Sequence, residues 1–286
     1  MNENKIAVLT DSGSDVPQNM LDKFNIYQLS LGINYKDKSY RDRIDITPEE
    51  VYERLTEEIP STSLPTLGEI RETLEKIVAD GYTHVIIPVI SSGLSGTYNA
   101  IKQVCSEFHN IKTAVIDTKN IALGSGFLAV YAAQLAEKNL VFEEIIKKVE
   151  GKIKDSHIYY SIQTLQYLIK GGRLGRVEGI IGSMLQIKPI IACDNDGIYY
   201  TVAKVRGRKQ SINKLMEIVQ DIIKDKKNYY LAICHGSAKE EADMVKEKMK
   251  PFIDNAALFM EGQISASLGV HTGPGLIGIG CFELGD

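Results

Sequence analysis

Residues 84–90 form an unbroken apolar run that stops at a loop of hydroxyls and glycines, Ser91-Ser92-Gly93-Leu94-Ser95-Gly96-Thr97. Residues 98–105 then resume with apolar positions at i, i+3 and i+4 spacing. The run reads as a strand buried on both faces, and the periodicity after it reads as a helix. The first four N–H groups of a helix have no partner within it, and the helix dipole adds partial positive charge there. Gly93 and Gly96 let backbone approach a ligand closely, and the hydroxyls of Ser92, Ser95 and Thr97 are further donors. The loop therefore suits an anion; the simpler reading is that Ser95 caps its own helix.

The same strand-then-helix alternation runs through the first half. Residues 6–9, 26–31 and 113–117 read as further strands. Thr47-Pro48 and Thr66, each with Glu three places on, open helices with capping-box spacing, and residues 120–138 and 142–153 read as helices. Residues 32–46 read as polar and irregular, and Ser61-Thr62-Ser63-Leu64-Pro65 as a second hydroxyl-rich loop ahead of a helix. Alternation of this kind implies a mainly parallel sheet flanked by helices. The first strand ends at Asp11-Ser12, where Asp11 and Asp15 either hold a metal or order the loop.

The second half has a different grammar. Two apolar runs, 187–193 and 198–205, flank Asp194-Asn195-Asp196-Gly197 as a hairpin, and a strand at 157–162 is followed by a short helix that ends at Gly171-Gly172. Helices ending near 226 and at 238–250 alternate with strands at 229–234, 256–260 and 276–282, and His271-Thr272 stands in a glycine-rich loop before the last of them. This half reads as mixed α/β. With 286 residues, two domains are expected, and the charged stretch at 151–155 divides them into 1–155 and 156–286. Arg173 and Arg176 in their glycine-rich turn are either an anion clamp, a partner-docking patch, or helix-end and solvated charge.

Several functions lack their signatures. There is no G-x-x-x-x-G-K-[ST], no G-x-G-x-x-G after a strand, no H-E-x-x-H and no C-x-x-C. Gly93-Leu94-Ser95-Gly96 misses the nucleophile-elbow pattern by one place, so a Ser95 nucleophile is disfavoured. A net charge of -4 argues against nucleic acid as the partner. The four cysteines are widely spaced and suit reduced, free thiols. Neither a leader peptide nor a run of about 20 apolar residues stands out, so a cytoplasmic protein is expected. What remains is a site of neutral donors in an apolar α/β frame, suited to a carboxylate or phosphate that is recognised and not turned over.

Together, Asp11-Ser12, Thr62-Ser63-Leu64-Pro65, the 91–97 loop, Gly171-Gly172-Arg173, Lys188-Pro189-Ile190 and His271-Thr272-Gly273-Pro274-Gly275 resemble the motifs of the DegV family of bacterial fatty-acid-binding proteins, in family order over nearly the whole chain. The resemblance implies two domains that clasp a long-chain fatty acid such as palmitate between them. It implies that Thr62 and Ser95 hold the carboxylate, that Gly96, His271 and Thr272 complete the network, and that no cofactor takes part. It also implies a role in lipid transport, with a fatty-acid kinase as a partner in some members and a transient membrane surface as another. Arg173, Arg176, Arg206 and Arg208 are the nominated docking residues. The family usually has Gln where this chain has Leu64, which leaves a polar contact from that position unsupported. Two alternatives stay open: an enzyme, phosphotransferase or hydrolase, using Ser95, His271 and Asp11, and a lipid-dependent regulatory sensor.

Overall fold

A computed structural model describes residues 2–177 and 186–285. The first half runs β1 (Ile6–Asp11), α1 (Gln18–Phe24), β2 (Ile26–Leu29), β3 (Gly32–Asn34), β4 (Ser39–Arg41), α2 (Pro48–Arg54), β5 (Ser61–Ser63), α3 (Leu67–Ala79), β6 (His84–Val89), α4 (Thr97–Glu107), β7 (Lys112–Asp117), α5 (Leu123–Glu137) and α6 (Phe142–Gly151). The second runs β8 (Ser156–Ser161), α7 (Gln166–Lys170), β9 (Ile187–Cys193), β10 (Tyr199–Arg206), α8 (Arg208–Ile223), β11 (Tyr229–Gly236), α9 (Lys239–Asp254), β12 (Leu258–Gln263), α10 (Ala266–Thr272) and β13 (Leu276–Glu283).

The expected parallel sheet is present, with strand order β2-β1-β6-β7 and every pair parallel. The second sheet is mixed, in the order β10-β9-β8-β13-β11-β12, and contains the anticipated β9–β10 hairpin. Both capping boxes form: the Thr47 and Thr66 hydroxyls accept from the N–H groups of Glu50 and Glu69, and the two glutamates reach back to the cap amides.

Helix α5 explains how the sheets stack. Its sequence, LGSGFLAVYAAQLAE, is apolar on every side, and a helix of that kind must be enclosed all round. It packs against β1 and β6 of one sheet and β8 and β13 of the other. One hydrophobic core therefore includes Val8 and Ile86 from the first sheet, Phe127 from α5, and Ile158 and Phe282 from the second. Helices α3 and α4 cover the outer face of the first sheet, and α8 and α9 that of the second.

Two expectations are corrected. Residues 32–46 are not irregular throughout, because β3, β4 and β5 make a small antiparallel sheet in the order β4-β3-β5. Ile33 pairs with both Tyr40 and Thr62, so Thr62 sits in a strand and not in a loop. Strands of three residues are too short to show period-two alternation. His271 likewise lies in the last turn of α10 and not in a loop. Gly269 and β-branched Val270 hide this helix from propensity. Gly269 is needed there because a Cβ would lie 2.9 Å from the Tyr52 hydroxyl.

Candidate ligand-binding site

Four segments meet at a cleft enclosing about 620 Å³ of unfilled space, counting its open mouth. Strand β5 supplies Thr62 and Ser63, followed by Leu64; the β6–α4 loop supplies Ile90, Leu94, Ser95 and Gly96. Helix α10 supplies Ser267, Leu268, His271 and Thr272, and the turn after α7 supplies Arg173. The five binding residues expected from sequence, Thr62, Ser95, Gly96, His271 and Thr272, all line this one cleft, although 209 positions separate Thr62 from His271.

The lining is graded. Leu64 and Gly96 are exposed, and Thr62, Ser95, Arg173 and His271 are half-buried. Leu31, Ile90, Ile121, Tyr199 and Leu268 lie deep, each less than a tenth exposed. The hydrogen-bonding groups with some exposure thus cluster at the mouth, while the depth is mainly apolar, with the buried Ser267 and Thr272 hydroxyls bonded to Asp42 and to the Leu268 carbonyl.

At the mouth, Thr62 Oγ1 stands 2.7 Å from His271 Nε2. Burial pushes the imidazole down to about 4, helped by the nearby Arg173 charge, so the ring is neutral near pH 7. Its Nδ1 is buried without a partner. An orphaned lone pair is less costly than an orphaned N–H, which favours the proton on Nε2. His271 then donates to Thr62, and the Thr62 hydroxyl proton is free for a ligand oxygen. The ring reaches this place only because residue 171 is glycine: a Cβ there would lie 2.0 Å from Nδ1.

The loop that opens α4 divides its hydroxyls by task. Ser91 Oγ donates to the Gly197 carbonyl at 2.8 Å and accepts from the Gly93 N–H, and Ser92 bonds the Asp117 carboxylate. Those two serines hold the loop to the β9–β10 turn and to the end of β7. Ser95 Oγ accepts from the Thr97 N–H at 3.2 Å and lies 2.8 Å from Thr97 Oγ1, beside the open N-terminus of α4. It serves the first N–H of the helix and lines the cleft, although the N-cap position itself is Gly96. Thr272 lines the wall, but its hydroxyl donates to the Leu268 carbonyl, one turn back in α10.

Arg173 is the one cationic side chain on the lining among the described residues. It donates to the carbonyls of Gly171 and Leu94, at 2.6 and 3.5 Å, and so ties the α7 turn to the β6–α4 loop. The other three arginines do not join it at the cleft. Arg176 pairs with Asp194 and Asp196 and steadies the hairpin turn. Arg208 pairs with Glu241 at 2.6 Å and donates to the Gly275 carbonyl, which commits it to the fold. Arg206 is exposed and bonds Gln186.

A catalytic relay is not assembled. Among the described residues no hydrogen bond joins Ser95 to His271 or His271 to Asp11. Asp11 is fully buried and accepts the Gly13 and Ile90 amides, at 2.9 Å each. Among the described residues no cluster of three or more acids, histidines or cysteines could hold a metal, and Asp15 instead bonds Arg43 and the Ser265 amide. The cysteines are free thiols. No described helix is long and apolar enough to cross a membrane. Sequence reading missed Ser267 and the apolar depth, although Leu31 and Ile90 stand just past the C-terminal ends of β2 and β6, where open α/β sheets bind ligands.

Residues 5–284 match the family described as "Uncharacterised protein, DegV family". A DegV domain-containing protein of Clostridium acetobutylicum is 44% identical over 98% of this chain and 99% of its own. Protein DegV of Bacillus subtilis is 31% identical over 97% and 99%. The crystal structure of Bacillus subtilis DegV, described as a fatty acid binding protein, is similar with a TM-score of 0.89 at 30% identity, covering 99% of each chain. A stearic acid-binding protein from Eubacterium ventriosum gives a TM-score of 0.86 at 25% identity, covering 98% of each.

Proposed function

The chain belongs to the DegV family, and from that premise we propose that it binds a long-chain fatty acid in this cleft, head outward, without turning it over. The observation that carries the reading is the graded lining: neutral donors, a neutral histidine and one arginine at the mouth, and a mainly apolar buried end whose two hydroxyls, Ser267 and Thr272, are already bonded to Asp42 and to the Leu268 carbonyl. Thr62 and Ser95 donate to the carboxylate, and Arg173 supplies the compensating charge. The acyl chain runs inward past Ile90 and Ile121 toward Tyr199 and Leu268. Each methylene buried there contributes about 0.8 kcal/mol. The tail is therefore the main source of affinity, and the head group sets direction.

The same gradient supports a carrier role. A carboxylate held beside Leu64, 41% exposed, lies within reach of a second protein, such as a fatty-acid kinase, or of a membrane surface. Mass spectrometry of an organic extract of the purified protein is expected to show a long-chain fatty acid in near-stoichiometric amount. An empty extract, together with failure of the delipidated protein to take up stearate, would refute the reading. Turnover of an ester or a phosphorylated substrate by the protein alone would favour the enzyme in its place.

A further inference from the structure

We infer that Asp42 is a positioning residue of the cleft: it locks the start of α10 to the first half of the molecule and so holds His271, at the other end of that helix, against Thr62. The inference rests on the ligand reading above for its consequence, but the geometry stands independently of it.

Asp42 lies just after β4 and is fully buried. Three donors converge on its carboxylate. Oδ2 accepts from Ser267 Oγ at 2.6 Å and from Ser12 Oγ at 2.8 Å, and Oδ1 accepts from the Ala266 N–H at 3.2 Å. Its own N–H donates to the Leu31 carbonyl, and Leu31 N–H returns to Ser12 Oγ. One side chain therefore knots the end of β1, the link between β2 and β3, and the first turn of α10. Its neighbour Arg43 turns instead to Asp15, whose Oδ1 takes the Ser265 N–H at 2.8 Å. Two aspartates from the first half thus hold the leading amides of a seven-residue helix.

The consequence follows from helix geometry. Ser267 and His271 are four residues apart, one turn along the same face. Both line the cleft. A helix of two turns moves as a unit, so fixing Ser267 fixes His271. The chain of contacts closes on itself: Asp42 to Ser267, along α10 to His271, across to Thr62, and through the pairing of Thr62 with Ile33 back to the small sheet that carries Asp42. A carboxylate suits position 42 because all three partners donate to it here, whereas an amide would need the Ser12 and Ser267 hydroxyls to turn and accept.

The test is Asp42→Asn, read in two ways. In stearate titrations of the delipidated protein the variant is expected to bind about tenfold more weakly, the scale of one lost hydrogen bond to a charged group. In a Thr62→Ala background the same substitution should cost less than about twofold, since the contact it supports is already gone. Loss of equal size in both backgrounds would overturn the assignment, as would unchanged affinity. The second readout needs no ligand: the His271 imidazole ¹⁵N shifts should move in Asp42→Asn, and an unmoved signal would overturn the assignment even if no stearate binds. If Asp42→Asn does not fold, Ser267→Ala removes one of the three contacts to Asp42, along with a 3.2 Å contact to Ser265 Oγ, and should show the same pattern at about threefold.

Discussion

The two ends of the cleft are built on different plans. The deep end is lined by buried apolar side chains that belong to one large core, among them Ile90, Ile121 and Tyr199. The mouth is made by a three-residue strand, a Ser/Gly loop and a two-turn helix, pinned by single hydrogen bonds such as Thr62 to His271 and Ser267 to Asp42. Packed apolar surface is redundant, since many small contacts share the load. A polar contact is not, because losing one partner strands the other. The deep end should therefore respond in proportion to ligand size, and the mouth should respond to single atoms.

The largest expected effect tests the deep end. Shortening the acyl chain by four methylenes, in steps of two measured by calorimetry, should lower affinity by about 3.2 kcal/mol, roughly 200-fold. A flat series would show that the tail lies outside the cleft. Next come single atoms at the mouth. Thr62→Ala and Ser95→Ala should each weaken binding by about 1.5–3 kcal/mol, with the chain-length slope unchanged. A change of slope would mean that the two ends are not separable.

A pair of adjacent glycines sharpens the contrast further. Gly171→Ala places a methyl 2.0 Å from His271 Nδ1 and should weaken binding by displacing the ring. Gly172 has φ +69° and open space around its Cβ position. Gly172→Ala should cost about 1 kcal/mol of stability, from the left-handed backbone alone, and leave affinity intact. Equal effects on binding from both would count against the placement of His271.

The smallest effect concerns pH. Burial raises the Asp11 carboxyl to about 7 and the Asp15 carboxyl to about 6, the latter in spite of Arg43. A carboxyl raised on folding contributes stability that is complete below its unfolded value, about 3.9, and is lost as pH rises through the folded value. His271, lowered on folding, acts in the opposite direction as pH falls through about 6.5, and His157 and His235, also lowered by burial, act with it. Between pH 8 and 6.5 the two sets of groups oppose each other, so the Asp11 share is read as wild-type stability minus that of Asp11→Asn. That difference should grow as pH falls, by no more than about 1.4 kcal/mol per unit. A difference that shrinks as pH falls over this interval would contradict the account.

The contrast also explains what was legible in the sequence. The strands of the parallel sheet and both capping boxes could be read because each is a local pattern: an apolar run in β6, or Thr66 with Glu69 three places on. Thr62, Ser95 and His271 could be nominated as chemistry, yet their meeting could not be derived from spacing, because it depends on how β5, the α4 loop and α10 pack. The small sheet and α10 were illegible as structure. Three-residue strands carry no period, and a helix containing Gly269 and Val270 is fixed by tertiary bonds from Asp42 and Asp15 and not by propensity. The four arginines could be counted but not sorted. Only their partners show that Arg173 faces the cleft while Arg176 and Arg208 are absorbed by aspartates and Glu241.

The central claim is a direction: head group at the mouth, tail at depth. A crystal structure of the protein with stearate tests it most directly. The account predicts carboxylate oxygens within hydrogen-bonding distance of Thr62 and Ser95, with the acyl chain running inward along Ile90 and Ile121. A carboxylate at the deep end, or a ligand seated outside this cleft, would contradict it.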